Sequence, residues 1–415
     1  MSTGGDNPLV QPAVNEVPLT SGIPPVANME PTPLAPLSDA AYDGPLARIP
    51  DAALPDAAHD GAGVHHDAAE RGRAFEPVAG APEAPPVAQL DLRQLFEAVV
   101  ANVRSAYVGR ADIVRLAVCC LLAEGHLLVE DHPGVGKTTL AKALARSLGL
   151  GFGRIQFTAD LLPADVTGAV IFDRESGRVA FRPGPVFTNV LLADELNRAS
   201  PKAQSALLEA MEERQVSADG VSHRLPEPFM VLATQNPFDA AGTFPLPHSQ
   251  RDRFLLRLSL GYPDRAAEDE LLATTRTRPA PEALSAVGGP GFIRQFGAAI
   301  DATHVAPEVR SYVLDLVAET RGHPDLAVGA SPRAALCTLR VAASVAVASG
   351  RDFVTPDDVK LVAEPTLGHR VVVHPAAELA GVTPPVVIDE IVSRLVVPVG
   401  PARPTGHART TRGLG

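Results

Sequence analysis

Residues 126–148 constrain the fold of this chain more than any other stretch, because they read HLLVEDHPGVGKTTLAKALARSL. An apolar run that favours a β-strand ends in a glycine-containing turn. Apolar residues then recur at spacings of three and four, which predicts an amphipathic helix. Lys137 stands at the start of that helix. The chain therefore places a strand, a tight turn and a helix N-terminus in succession around one lysine.

This order is what a phosphate-binding loop requires. Glycines let successive N–H groups point inward, the lysine serves the β and γ oxygens, and Thr138 offers a hydroxyl to magnesium. The full pattern has glycine where this chain has Asp131, and aspartate tolerates the turn conformations that glycine adopts. The alternative is a chance glycine-rich turn. The predicted phosphate-binding residues are His132, Pro133, Gly134, Val135, Gly136, Lys137, Thr138 and Thr139.

Two further apolar runs predict the rest of a sheet. NVLLAD at 189–194 and FMVLAT at 229–234 are separated by helix-like segments. Continuous apolar strands between helices are typical of a parallel sheet covered on both faces. Such sheets bind ligands at the carboxyl ends of their strands. The fold class is therefore predicted to be α/β.

Polar residues at the strand tips narrow the chemistry, since phosphate binding alone fits a kinase, a GTPase or a motor. Asp194 can hold magnesium and Glu195 can polarise an attacking water. Without the phosphate loop, this pair is equally an ordinary helix start. Asn236, after the third strand, can orient water towards the γ-phosphate, or it is simply a turn residue before proline. Together the clusters favour hydrolysis.

The first 88 residues have a different composition. They contain 15 of the 40 prolines and no lysine, and they carry −9 of the net charge of −12. A segment with few aromatic residues and many prolines cannot bury enough surface to offset its ordering entropy, so we expect disorder. The acidic charge also disfavours unaided nucleic-acid binding.

The cysteines and the hydropathy pattern bear on location. Cys119 and Cys120 are adjacent and Cys337 is distant, which favours buried thiols in a reducing compartment over a disulfide framework. No charge-free apolar run approaches membrane-spanning length, and no signal-peptide pattern opens the sequence. We expect a cytoplasmic protein without membrane insertion.

Four long segments resemble the MoxR family of AAA+ ATPases. They are RIQFTADLLPADVTG at 154–168, FRPGPVFTNVLLADELNRASPKAQSALLEAMEERQVS at 181–217, FMVLATQNPFDAAGTFPLPHSQRDRF at 229–254 and VGASPRAALCTLRVA at 328–342. The resemblance runs from about residue 89 to 398. It implies an ATP-binding α/β core, an all-helical lid and a ring, commonly a hexamer, with ATP between subunits. It also implies a chaperone-like motor whose protein clients often carry a von Willebrand factor A domain.

The resemblance also implies roles for single residues. Lys137 and Thr138 correspond to Walker A, Asp194 and Glu195 to Walker B, and Asn236 to sensor 1. Arg253 falls at the arginine-finger position and Arg333 at sensor 2, while Val108 and Gly109 lie in the segment that packs near adenine. ATP and Mg²⁺ are the implied cofactors, with Thr138 and Asp194 as the magnesium residues.

Two residues depart from the family pattern beside the finger. His248 and Arg251 stand where the family usually has an acidic residue and a leucine, so Arg251 is a second guanidinium two residues before Arg253. A guanidinium brought in by a neighbouring subunit can raise phosphoryl transfer by ~10³-fold or more. The alternative for Arg253 is a surface ion pair with Asp252 or with the helix after Glu195.

The remaining chain is assigned by pattern. We expect a disordered tail at 1–88, the core at 89–263, the lid at 264–398 and a flexible tail at 399–415. A polar hairpin is expected near Asp219 and Gly220. Ser331 with Pro332, and Thr355 with Pro356, predict helix starts, and the dipole opposes Arg333 there unless an anion is nearby.

Two functions remain open from the sequence. One is an ATP-hydrolysing ring that remodels or activates a protein partner. The other is a nucleotide-gated interaction platform with slow or incidental hydrolysis. Glu195 and the paired arginines favour the first, because a pure switch can dispense with them. A DNA-directed motor is disfavoured by the acidic balance and by the lack of a basic stripe with aromatic residues.

Overall fold

A computed structural model describes residues 91–173, 178–236, 242–274 and 277–398 of the chain. The predicted tails at 1–88 and 399–415 lie outside the described residues. The strands are β1 Leu127–Glu130, β2 Phe152–Gln156, β3 Gly168–Asp173, β4 Arg178–Pro183, β5 Val190–Asp194, β6 Gln215–Ala218, β7 Val221–Arg224, β8 Met230–Gln235, β9 Leu256–Leu258, β10 Leu326–Val328 and β11 Val372–Val373.

Helices occupy most of the remaining described chain. They are α1 Leu92–Ala106, α2 Ala111–Leu122, α3 Lys137–Ser147, α4 Pro163–Thr167, α5 Pro201–Glu213, α6 His248–Arg251, α7 Arg265–Thr274, α8 Pro290–Ala302, α9 Pro307–Gly322, α10 Pro332–Ala348, α11 Pro356–Leu367, α12 Pro375–Leu379 and α13 Pro384–Arg394.

A parallel sheet carries the site. Its order in the described chain is β2-β5-β8-β1-β9, and all its pairs are parallel. Asp194 lies opposite Gln156 and Ala193 lies opposite Ala233, so the carboxyl ends of β2, β5 and β8 meet at one edge. The predicted parallel sheet and the shared edge for its strand tips are confirmed.

Alternate residues of the strands build two cores. On β5, Val190 and Leu192 pack on the face covered by α1, α2 and α3, in a core that continues into the C-terminal helices. Leu191 and Ala193 point to the other face, where they share a core with α5. Burial on both faces explains why the strand reads as an uninterrupted apolar run.

Two hairpins form separate two-stranded sheets. The β6–β7 hairpin turns at Asp219 and Gly220, which both have positive φ (50° and 76°), as a two-residue type I′ turn requires. The β3–β4 hairpin pairs residues 168–173 with 178–183, and the sequence pattern did not reveal it. Its Phe172 and Val179 are exposed, so the alternation of buried and exposed residues that signals a strand is missing.

The C-terminal helices form the lid. Ser331 accepts from the Ala334 N–H and Thr355 from the Asp358 N–H, so α10 and α11 begin where the sequence predicts. A short antiparallel ribbon of β10 and β11 accompanies the helices. Ser344 on α10 donates to the Cys119 carbonyl on α2, which ties lid to core.

The three cysteines are free thiols. Cys119 and Cys120 are buried on α2, while Cys337 on α10 is partly exposed. Burial raises the pKa of Cys119 to about 11, so this thiol stays protonated and unreactive at neutral pH. In the described parts of the chain, no helix is both long and apolar enough to cross a membrane.

Candidate functional site

The turn between β1 and α3 forms an open loop. Gly134 and Gly136 adopt left-handed backbone angles, with φ of 86° and 89°. A Cβ at Gly134 would meet no atom within 4 Å. Gly136 is the N-cap of α3 and gives no side-chain cap, so the first N–H groups of the helix face the loop. The predicted residues 132–139 all lie on this turn and on the first turn of α3.

Lys137 connects the two ends of the loop. Its Nζ donates to the Asp131 carbonyl at 2.6 Å. Burial lowers the pKa of Lys137, and the carboxylates of Asp131, Asp194 and Glu195 act in the opposite direction. The predicted lysine and the predicted carboxylates at the tip of β5 therefore lie within electrostatic range of one another.

Asp131 does more than tolerate a glycine position. It does not have positive φ, so the tolerance of aspartate for glycine-like backbone angles is not needed at this position. Its buried carboxylate instead accepts from the Gly261 N–H at 2.7 Å, from Ser259 Oγ at 3.2 Å and from the His132 N–H at 2.9 Å. An aspartate therefore serves here as an anchor, and glycine could not.

Asp194 ends β5 and is held from two sides. Its Oδ1 accepts from Thr234 Oγ1 at 2.6 Å, and its Oδ2 accepts from Arg154 Nη2 at 2.7 Å. Arg154 lies on β2 and also donates to Gln156 at 2.9 Å. The sequence pattern did not single out Arg154 and Gln156. Two polar side chains at alternate positions near the end of a sheet strand are the signal that could have found them.

Glu195 has an uncommon backbone. Its φ is 56°, a left-handed conformation that costs a non-glycine residue ~1–2 kcal/mol. Its N–H donates to Thr234 Oγ1 at 2.9 Å, the hydroxyl that also serves Asp194. Its Oε2 accepts from Gln156 Nε2 and Arg198 Nε, each at 3.0 Å. Strain held in place by surrounding contacts is common at functional sites.

Asn236 follows β8 at the same edge of the sheet. Its carbonyl accepts from Asn197 Nδ2 at 3.5 Å. Since β8 is the neighbour of β5, Asn236 follows the strand next to the one that ends at Asp194. The predicted cluster of the three strand tips and the loop is therefore assembled in the structure.

Val108 and Gly109 line a cavity beside the loop. The cavity is bounded by Val135 of the loop and by the chain that leads into α7, including Gly261 and Tyr262. Tyr107 packs beneath, within 2.9 Å of a Cβ built at Gly136. Burial, helped by the Asp131 carboxylate, raises the pKa of Tyr107 to about 12, so it stays neutral. The cavity adjoins the loop, which is the position that a nucleotide base would occupy if its phosphates were bound at the loop.

Arg253 and Arg333 lie away from the phosphate loop, and both contact the same carboxylate. Arg253 Nε contacts Glu212 Oε2 at 3.0 Å, and Arg333 Nη1 contacts Glu212 Oε1 at 3.2 Å. Glu212 belongs to α5, so the predicted surface ion pair of Arg253 forms with the helix after Glu195. No local sequence pattern marks Glu212 as the shared partner of these arginines.

Both arginines stand at the amino end of β1. The Leu255 N–H donates to the carbonyl of His126, the residue before β1. Arg333 is near enough to His126 to contribute to its lowered pKa, after burial and Arg214. The four residues of β1 span ~13 Å, and Lys137 lies beyond their other end. Within one chain, the arginines and the phosphate loop therefore lie at opposite ends of β1.

Arg251 is separate from this pair. Burial lowers its pKa, and its charged neighbours are Glu130 and Arg257 rather than Glu212. Its Nε is buried without a hydrogen-bond partner among the described residues. Of the two guanidiniums in RDRF, Arg253 is the one beside Arg333.

The chain matches two family models in tandem. They are the ATPase family associated with various cellular activities (AAA), over residues 126–256, and the AAA lid domain, over residues 318–391. The chain is 42% identical over 311 residues to the uncharacterized protein YeaC of Bacillus subtilis, covering 75% of this chain and 97% of that protein. It is 39% identical over 324 residues to chaperone MoxR1 of Mycobacterium tuberculosis, covering 75% and 85%. The chain belongs to the MoxR family of AAA+ ATPases.

Further comparisons agree with this MoxR assignment. Protein MoxR of Paracoccus denitrificans is 33% identical over 312 residues, with 69% of this chain and 91% of that protein covered. A crystal structure of a candidate ATPase from Cytophaga hutchinsonii matches with a TM-score of 0.70 at 34% identity, covering 74% of this chain and 96% of that one. The predicted α/β core with a helical lid is therefore confirmed.

The residues present fit the nucleotide that the MoxR assignment implies. The uncapped start of α3, the open space at Gly134 and the half-buried Lys137 suit an anionic phosphate chain. Thr138 and Asp194 offer the hard oxygen ligands that Mg²⁺ prefers. Among the described residues, no group of three or more His, Cys, Asp or Glu forms a metal site without the nucleotide.

Proposed function

We propose that this MoxR-family protein binds and hydrolyses Mg-ATP between the subunits of a ring, and uses the cycle to remodel or activate a partner protein. One observation carries the proposal. The loop, Asp194 and Glu195 lie at the carboxyl edge of the sheet, whereas Arg253 and Arg333 lie together at the amino end of β1. A complete site then needs two chains, with the loop from one and the arginines from the next.

Each residue of the loop edge has a task in this proposal. Lys137 and the N–H groups at the start of α3 would hold the phosphates, and Thr138 and Asp194 would hold Mg²⁺. Held there, Mg²⁺ would neutralise charge that develops on the phosphate oxygens. Glu195 accepts a proton from the attacking water. Asn236 orients that water through its neutral amide.

The loop edge also supports base recognition. Val108 and Gly109 border the cavity next to Val135, and we assign this cavity to adenine. The chain entering α7 forms the opposite wall, so a bound base would touch both the core and the start of the lid. The lid would then sense whether the nucleotide is present.

The partner assignments extend from the relatives. One relative is named a chaperone, which supports a protein client. A hexameric ring, a client with a von Willebrand factor A domain and a cytoplasmic location remain our proposals. Buried free thiols are compatible with that location.

A slower mode has an observation in its favour. Arg154 pairs with Asp194 and Arg198 pairs with Glu195, so each carboxylate has a cationic partner within its own chain. A nucleotide-gated platform would keep those pairs and respond to ATP binding alone. In that case ATP binding would promote assembly with a partner protein, and the rate of assembly would not depend on the rate of ATP hydrolysis.

Substitution of Glu195 separates the two functions. We expect Mg²⁺-dependent ATP hydrolysis to fall at least about tenfold in Glu195→Gln, while binding of a fluorescent ATP analogue persists. The amide keeps the shape of the side chain but cannot take the proton. Lys137→Ala is the matched control, since it should lose binding as well as turnover. Equal turnover in wild type and Glu195→Gln would defeat the hydrolysis assignment and leave the platform.

A further inference from the structure

Arg370 is the largest fully buried side chain in the described chain, and it belongs to the lid. It ends the turn of 3-10 helix that follows α11. Its Nε donates to Asp252 Oδ1 at 2.6 Å. Its Nη atoms donate to the carbonyls of Asp252 at 3.2 Å, Phe254 at 2.6 Å and Leu255 at 3.2 Å. One guanidinium of the lid therefore donates hydrogen bonds to the backbone on both sides of Arg253.

Two histidines add contacts between the lid and the core near Arg253. His369 Nε2 lies 3.0 Å from the Phe254 carbonyl, and His248 Nε2 lies 2.7 Å from the Arg370 carbonyl. A buried guanidinium is stable only when it is paired and its N–H groups are satisfied. The segment 252–255 thus has little freedom to move relative to the lid.

Asp252 also connects this contact region to the start of α10, which carries Arg333. Its second oxygen, Oδ2, accepts from Ser331 Oγ at 3.2 Å. Ser331 is the N-cap of α10 and also accepts from the Ala334 N–H at 3.2 Å. Arg333 lies two residues after Ser331, and Arg253 lies one residue after Asp252. A single carboxylate therefore fixes the starting points of both arginine side chains.

We propose that Asp252 is a positioning residue that presents Arg253 and Arg333 as one pair to the nucleotide of the neighbouring subunit. Arg370 and Ser331 hold Asp252 in place for this task. The inference rests on the proposed function, in which those arginines act across a subunit interface. Two arginines placed by separate elements would approach the phosphates independently, whereas a shared carboxylate keeps their spacing constant when the lid moves.

Ser331→Ala tests the proposal with little risk to folding. It removes one donor from Asp252 and the N-cap of α10. Thr355→Ala is the matched control, because it removes the N-cap of another lid helix, α11. We expect similar losses of melting temperature in both variants. Only Ser331→Ala should lower kcat, by roughly ten- to a hundredfold, with unchanged ATP-analogue binding, and Ser331→Thr should restore kcat. An equal fall in kcat in both alanine variants would overturn the proposal.

ATP hydrolysis by rings mixed from two variants gives a second test. A purely structural role of Asp252 would not change the result of this test. Lys137→Ala chains keep their arginines but lose the phosphate loop, while Ser331→Ala chains keep the loop. We expect a mixture to hydrolyse more ATP than either variant alone, since some interfaces combine the intact halves. The same gain is expected with Asp252→Asn in place of Ser331→Ala.

The Arg253→Ala variant distinguishes the two ways in which the experiment can fail. If Arg253→Ala mixed with Lys137→Ala gains activity but both Asp252→Asn and Ser331→Ala do not, Asp252 has no positioning role and the inference is overturned. If the Arg253→Ala mixture itself shows no gain, the arginine does not act across the interface. The proposed ring chemistry is then overturned, and this inference with it.

Discussion

Asp131 links the phosphate loop to the chain that leads into the lid. Its carboxylate accepts from Ser259 and from the Gly261 N–H, both just after β9, and its own carbonyl accepts from Lys137. The residue is only 4% exposed. One residue, through its carbonyl and its carboxylate, thus links Lys137 to the start of the lid.

This coupling makes an unusual prediction for Asp131→Gly, which restores the full phosphate-loop pattern. We expect the variant to be less stable by about 2–4 kcal/mol, because the partly buried N–H of Gly261 loses a charged acceptor and glycine adds freedom to the unfolded chain. Nucleotide affinity should fall as well, since the loop is no longer anchored. Urea unfolding and titration with a fluorescent ATP analogue measure both effects.

Asp131→Asn is the control for shape. Its amide oxygen still accepts a hydrogen bond without the charge, so the cost should be smaller than in Asp131→Gly. A glycine variant as stable as wild type, with equal or better affinity, would show that the departure from the pattern has no structural purpose.

At the scale of elements, α5 connects the two ends of the site. Its thirteen residues span ~20 Å. Near its start, Gln204 Nε2 donates to the carbonyls of Leu196 and Ala199, in the turn that follows Glu195. Near its end, Glu212 contacts Arg253 and Arg333. One helix therefore contacts both the turn after Glu195 and the two arginines.

In the proposed function, Glu212 would compete with phosphate for those arginines, and this leads to a second prediction. We expect Glu212→Gln to lower the ATP concentration for half-maximal hydrolysis by about three- to tenfold, because two partly exposed ion pairs are together worth ~1 kcal/mol. Loss of the carboxylate also removes repulsion of the triphosphate. The measurement is hydrolysis rate against ATP concentration at fixed protein concentration.

Glu209→Gln controls for the charge alone. Glu209 lies one turn earlier on α5 and lines the same cavity as Glu212 and Arg253. We expect its substitution to have a much smaller effect. If Glu212→Gln instead impairs ATP use as strongly as Arg253→Ala, then Glu212 holds the arginines in their working position rather than restraining them.

Local pattern and long-range contact explain which elements and residues could be predicted. The start of α10 at Ser331 and Pro332 was predictable, because an N-cap and a first-turn proline act within one turn of chain. The pairing of Arg370 with Asp252 was not, since 118 residues separate them. Glu212 and Arg333 are 121 residues apart. Only the packing of lid on core brings such pairs together.

At the scale of the whole molecule, two buried histidines connect distant parts. His126 Nδ1 accepts from the Val231 N–H on β8, and its Nε2 lies 3.1 Å from the Met211 carbonyl on α5. His369 of the lid meets Phe254 of the core. Burial lowers the pKa of His126 to about 3 and holds that of His369 well below its ordinary value. Both rings are neutral in the folded protein at neutral pH.

These shifts predict how stability depends on pH. In the unfolded chain a histidine takes up a proton near pH 6.5, whereas folded His126 does so only near pH 3. The unfolded state therefore binds more protons between these values, and the free energy of unfolding falls as pH drops from about 6.5 towards 3. Each histidine contributes a slope of up to ~1.4 kcal/mol per pH unit. We expect His126→Asn to be less stable at pH 8 but to lose stability less steeply between pH 6 and 5, by about that slope, in urea unfolding. Parallel curves for variant and wild type would show that His126 does not link folding to protonation.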